Sequence, residues 1–241
     1  MHTIRTRWLK WLIAFSLAVA VAGDSADAQA PGQAVAAVAR ALANYGQGLV
    51  SGSIQDWICE GTLTLFSSSG PKATLPMTLL RKGGGQVQRI VDQGANVQKQ
   101  GSDGTETWDS IAGFRTVAQV RTQNFLESQT DRSIHALLNH QGLGLMLKDV
   151  GNTGQLLSIE ALDGKGRKTK YTVDLIAAII SELEFTTGTV TDKYVFSDYR
   201  RVQGILTPFK TARFVDGLKV EEMQFTAVRY NASVKDSDFK P

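Results

Sequence analysis

Polar and apolar residues alternate with a period of two through most of the chain, and two stretches leave that period for a helical one. In YVFSDYRRVQGILTPFK (194–210), Tyr194, Phe196 and Asp198 fall on one side and Val195, Ser197 and Tyr199 on the other, which is strand spacing. The alternation runs on through Ile205 and Phe209 to residue 230, with Asp216-Gly217 between two alternating runs as a two-residue hairpin. Three antiparallel strands in series are predicted here. Gly204 and Pro208 predict a bend, because glycine marks a bulge or close approach and proline is tolerated at bulges and edges. Nearer the N-terminus, Trp57, Cys59, Leu63 and Leu65 share a face opposite Glu60, Thr62 and Thr64. After a turn over 67–72, Leu75, Met77 and Leu79 are in phase. Breaks at 82–85, Gly94, Gly101 and Asp103-Gly104 space short strands about ten residues apart, as in an antiparallel meander.

The first helical stretch is QAVAAVARALANY (33–45), with Val35, Val38, Ala39 and Leu42 at helical spacing. The second, 119–140, has no glycine or proline and places Phe125, Leu126, Ile134, Leu137 and Leu138 on a stripe, predicting one helix or two short ones. The glycine-broken segment 141–154 separates it from strands resuming near residue 155, and 231–241 reads as an irregular tail. The order of helix, strands, helices, strands predicts an α+β fold around a large antiparallel sheet. Leu63, Leu65, Met77, Leu79 and Phe196 would face the helical stripe. Periodicity leaves open whether the two meet in a packed core or enclose a cavity.

Composition narrows the setting. The chain has 241 residues, 42% hydrophobic and 20% charged, enough to bury a sizeable core. Arg5, Arg7 and Lys10 precede an apolar run at 12–23, and Ala26-Asp27-Ala28 offers a small-x-small cleavage site, with Ala20-Val21-Ala22 as a second. This is the layout of a signal peptide over residues 1–28, followed by a single domain over 29–241. The expected location is the periplasm of a bacterial-type cell or its exterior. Without residues 1–28, 26 basic residues become 23 and 23 acidic become 21, a net charge of +2. That balance gives no clustered basic footprint for nucleic acid. The densest cluster, GKGRKTK (164–170), reads as a solvated hairpin tip. Cys59 is the one cysteine, so no internal disulfide forms, and it lies too far from the cleavage region to be a lipid anchor.

Catalytic patterns are absent. His135 and His140, five residues apart, miss a common helical face and read as helix-surface histidines. No HExxH, G-x-S-x-G or phosphate-loop pattern occurs. Glu221 and Glu222 point to opposite faces of a strand, which reads them as edge or solvent charges rather than a two-carboxylate site. Neither a catalyst nor a cofactor or metal site is expected.

Two stretches carry a family likeness. GSDGTETWDS (101–110), with Asp103-Gly104 at a turn and Trp108 on the next strand, resembles the DG…W hairpin of the periplasmic lipoprotein carriers, the LolA/LolB-like superfamily. ELEFTTG (182–188), 194–210 and VRYNASVKDSDFKP, with Asn231, Phe239 and Pro241, are similar to the last strands of outer-membrane lipoprotein-sorting proteins. The resemblance implies an incomplete antiparallel barrel with an apolar concave face covered by helices, binding lipid or the acyl chains of a lipoprotein. Under it, Leu63, Leu65, Met77, Leu79 and Phe196 become a cavity floor and Phe125, Leu126, Ile134, Leu137 and Leu138 its lid. The alternative is a non-catalytic envelope sensor or structural module that binds a protein partner.

Overall fold

The computed structural model describes residues 32–83 and 85–240. The expected export segment, 1–28, lies outside the described residues. Helix α1 (Gln33–Tyr45) is followed by six strands: β1 (Asp56–Ser67), β2 (Gly70–Lys82), β3 (Gln86–Asp92), β4 (Val97–Asp103), β5 (Thr107–Ile111) and β6 (Phe114–Val117). Two short helices, α2 (Val120–Gln129) and α3 (Ile134–Leu138), lead to β7 (Met146–Thr153), β8 (Leu156–Leu162), β9 (Lys168–Asp174) and β10 (Ile179–Thr187). The last strands are β11 (Val190–Val202), β12 (Ile205–Val215) and β13 (Leu218–Tyr230).

All thirteen strands form one sheet in the order β6-β5-β4-β3-β2-β1-β13-β12-β11-β10-β9-β8-β7. Every neighbouring pair is antiparallel; successive strands within β1–β6 and within β7–β13 pair with each other, and β13 returns to pair with β1 from Trp57↔Tyr230 to Leu65↔Glu221. The barrel is incomplete. It stays open between edge strands β6 and β7, and α2 and α3 are the chain that links those two edges. The α+β class and the curved sheet with an N-terminal helix and inserted helices are therefore as the sequence predicts.

Local chemistry accounts for the bends. At Glu60/Gly61 the register with β13 shifts by a bulge, and a Cβ on Gly61 would stand 2.1 Å from the Gln224 carbonyl oxygen. Only glycine permits that approach, and the bulge adds twist at the seam between the two halves of the sheet. Pro76 in β2 pairs with Thr62 but lies beyond the last β2–β3 pair, Met77↔Val91, so its missing N–H costs the ladder nothing.

Several expectations are corrected. The α1 face toward the core runs through Ala34, Ala37, Val38, Ala41 and Tyr45, and Ala39 is exposed. The segment 141–154 contains strand β7, whose side chains are nearly all exposed, so no alternation marks it. Gly204 is the second residue of a tight hairpin, with Gln203 at φ 49° and Gly204 at φ 82°, rather than a bend within a strand. Gly101 is inside β4, where its bare Cα lets the Trp108 indole lie over it; a Cβ would be 2.5 Å from that ring. Asp198 takes φ 54°, and beyond it Tyr199 packs against the same apolar cluster as Phe196. The tail is less irregular than expected. A 3-10 turn (Asp236–Phe239) seats Phe239 beside Leu80 and Val234 in a second small cluster.

Candidate functional site

Strands β12 and β13 are paired only from Lys210↔Gln224 to Val215↔Leu218. Beyond that point Ile205–Phe209 stays with β11 and Phe225–Tyr230 with β1, so the sheet splits into a cleft. Side chains span the gap where a backbone ladder would run. The Tyr230 N–H donates to Gln203 Oε1 at 3.0 Å, and the Thr207 and Tyr230 hydroxyls lie 2.7 Å apart. Pro208, which has no N–H to give a neighbour, sits on this unpaired length.

Behind the cleft is a cavity of about 100 Å³. Leu79, Cys59, Phe225, Met223 and Phe196 supply its apolar wall, while Ile134 and His135 of α3, with Tyr45 and Leu49, face them. Strand register orders these residues along the length of the cavity. Arg81, Trp57 and Tyr230 are paired neighbours at one end, Leu79 and Cys59 come next, and Met223, Thr211 and Phe196 are paired neighbours at the far end. From Trp57 to Leu63, the partner of Met223, is six residues, about 20 Å of strand.

The end at Trp57 carries the charge. The Arg81 guanidinium lies 4.2 Å over the Trp57 ring, and His135 meets the same ring edge-on with centroids 6.3 Å apart. Burial pulls the Arg81 pKa down to about 10, so it stays protonated at neutral pH. Burial also lowers the His135 pKa, and the Arg81 charge lowers it further, which keeps the imidazole neutral there. Cys59 is buried and its thiol is pushed up to about 12, an unreactive thiol rather than a nucleophile. Among the described residues no carboxylate lines the cavity. Among the described residues no group of three or more His, Cys, Asp or Glu could hold a metal ion.

Helix α2 is fixed by a buried polar cluster. Arg213 donates to Asp192 at 2.6 Å and to the Arg121 carbonyl of α2 at 2.9 Å. Asn124 of α2 donates to Asp192 at 2.6 Å, and Gln100 donates to Thr122 of α2 at 2.7 Å. Glu221 accepts from Arg89 at 3.0 Å and from Arg213 at 3.4 Å. Glu221 is thus a buried partner of two arginines and not a solvent charge. Glu222 does face the other way, paired with Lys210 and Lys219. At the end of α2, Arg167 reaches Glu127, Asp131 and Asp163, so the 164–170 turn is tied to the helix rather than merely solvated.

Of the residues expected to form a floor, Leu79 and Phe196 line the cavity. Leu63 and Met77 are buried in the adjoining core, and Leu65 lies off to one side in a cleft beside Arg89 and Arg121. Of the expected cover, Ile134 lines it, while Phe125, Leu126, Leu137 and Leu138 are buried in the main core. Asp103, Gly104 and Trp108 do not line it: Asp103 caps its own turn by accepting from Thr105 and Glu106, and Trp108 is buried over Gly101. His135 lines the cavity and is not a plain surface histidine. Sequence reasoning passed over Arg81, Thr207 and Tyr230, and it put Trp57 on the same face as Cys59 without assigning it to the floor. For Arg81 a signal existed, since it continues the phase of Leu75, Met77 and Leu79.

No family model and no curated protein matches the sequence. Among solved structures, the chain is similar to a DUF1329 family protein from Desulfovibrio piger, with 12% identity over 86% of this chain and 97% of that one and a TM-score of 0.56. It is also similar to a LolA superfamily protein from Nitrosomonas europaea, with 10% identity over 86% and 97% of the two chains and a TM-score of 0.58. At such identities the likeness is one of architecture, and the architecture of this chain is the LolA-like open antiparallel barrel with helices at its opening.

Proposed function

We propose that this protein is an exported envelope protein that binds the acyl chain of a lipid or an acylated lipoprotein in the cleft between β12 and β13, without catalysing a reaction. The observation that carries this reading is the split sheet, which opens onto an apolar wall of Leu79, Phe225, Met223 and Phe196. An alkyl chain gains roughly 0.8 kcal/mol per buried CH₂, so such a wall binds without polar chemistry. The cavity of about 100 Å³ is small beside ligand pockets of roughly 300–1,000 Å³. Uptake of a long chain therefore requires α3 to move. That helix has five residues and is followed by the glycine-containing turn 139–145, whereas α2 is held by the buried arginines. No helix among the described residues is long and apolar enough to cross a membrane.

The test is saturable uptake of a fluorescent fatty-acid analogue, together with native mass spectrometry of the purified protein. Wild type should take up the probe. Ile134→Trp, which fills the cavity from the helix side, should reduce uptake with little loss of thermal stability. Absence of uptake and of any lipid-sized mass increment would refute the reading. It would turn attention to a protein partner along edge strand β6, where Phe114 and Val117 are exposed.

A further inference from the structure

Arginines that face the interior of this fold have carboxylates, with one exception. Arg89 meets Glu221, Arg213 meets Asp192 and Glu221, and Arg132 meets Glu127. Arg81 has no carboxylate within 4.0 Å and donates no side-chain hydrogen bond among the described residues. Its guanidinium lies over the Trp57 ring. A half-buried guanidinium without an anion keeps part of its desolvation cost uncompensated, and a cation–π contact offsets only some of it.

The surroundings of Arg81 define what would complete it. Among the described residues it is the one permanently charged residue lining the cavity, and it continues the inward phase of Leu75, Met77 and Leu79 at the Trp57 end. Beside it stand other groups able to hydrogen-bond an oxyanion: the Tyr230 hydroxyl, close to that of Thr207, and the His135 ring. Further along the strands the lining turns to Leu79, Phe225, Met223 and Phe196, with Thr211 paired to the last two. One end is cationic and the other uncharged and mainly apolar, which is the complement of an amphiphile with an anionic head. The narrow volume favours one chain over two.

We propose that Arg81 receives the carboxylate or phosphate head of a single-chain amphiphile whose tail lies along Leu79, Phe225, Met223 and Phe196. The assignment rests on the lipid-binding reading of the same cleft and adds the head-group class. A guanidinium suits either head, since both present paired oxygens to its planar fork.

The experiment is displacement of a neutral fluorescent probe by three palmitoyl ligands at neutral pH: palmitic acid, monopalmitoyl glycerol phosphate and neutral monopalmitoyl glycerol. Wild type should bind the two anionic ligands about tenfold or more tighter than the neutral one, the advantage expected of a charge-assisted hydrogen bond. The order of the two anions identifies the head. Arg81→Gln should abolish the preference while keeping affinity for the neutral ligand, and Arg81→Lys should retain part of it. Equal affinities for all three in wild type would overturn the head-group assignment while leaving lipid binding intact. Survival of the preference in Arg81→Gln would overturn it as well. Binding of none of the three would instead defeat the lipid reading itself. The wild-type comparison decides the matter even if a variant fails to fold.

Discussion

Replacing Glu221 with Gln should weaken the anchorage of α2 and show a pH signature that identifies the cause. Glu221 is buried, and its carboxylate accepts from Arg89 at 3.0 Å and from Arg213 at 3.4 Å. Losing the charge leaves Arg89 without its salt-bridge partner and Arg213 with Asp192, which Asn124 also holds. Removing one member of a buried ion pair costs about 3–5 kcal/mol. Here Arg89 keeps its hydrogen bonds to Gln100, and the new amide can still accept, so the loss should fall near the lower end, about 3 kcal/mol. For a domain of this size that is a fall of about 6–12 °C in Tm. The sign of the pH effect follows from the Glu221 pKa. Burial alone would raise it, but Arg89 and Arg213 outweigh burial and hold it below the usual carboxylate range. A carboxyl lowered in this way stabilises fully above its unfolded-state pKa and loses that contribution as pH falls through the folded-state value. Urea denaturation of wild type and Glu221→Gln should therefore differ most at pH 7, and the difference should narrow progressively once pH falls below the usual carboxylate range, vanishing only below the lowered folded-state value. A difference under about 0.5 kcal/mol at pH 7, the scale of an ordinary surface substitution, would refute the buried-network account. So would a difference of equal size at pH 7 and pH 3.

Two further outcomes are expected. Cys59 should react with thiol reagents only slowly in the native protein and quickly in denaturant, since burial pushes its thiol up to about 12; rapid native labelling would show that this face of β1 is open to solvent. Gly61→Ala should cost stability well above the roughly 1 kcal/mol typical of point substitutions, because its Cβ would collide with β13 backbone, and a thermal midpoint equal to wild type would show that the bulge at the seam can relax.

Much of the architecture was legible because it is local. Alternation placed β1, β2 and the three last strands, since a side chain's face in a strand depends only on parity. Asp216-Gly217 specified a two-residue hairpin through the positive φ angles it accepts, 50° and 80° in the structure. The absence of glycine and proline between 119 and 140 signalled the helices. Even Arg81 was written in the phase of β2, as a cation at the end of an apolar face.

Tertiary structure decided what depends on distant chain. Parity cannot reveal that β13 closes onto β1, or that β12 and β13 separate after Lys210, because pairing is settled by which strands can bury one another's faces. β7 exists through its hydrogen bonds to β8 while its side chains stay in solvent, so no pattern announced it. Glu221 and Glu222 look alike in sequence. One is buried because Arg89 and Arg213, more than a hundred residues away and eight residues away, arrive on its side of the sheet, whereas lysines meet the other at the surface. Local periodicity set the faces of the strands, and the long-range closure of the sheet chose which of those faces became core, clamp and cavity.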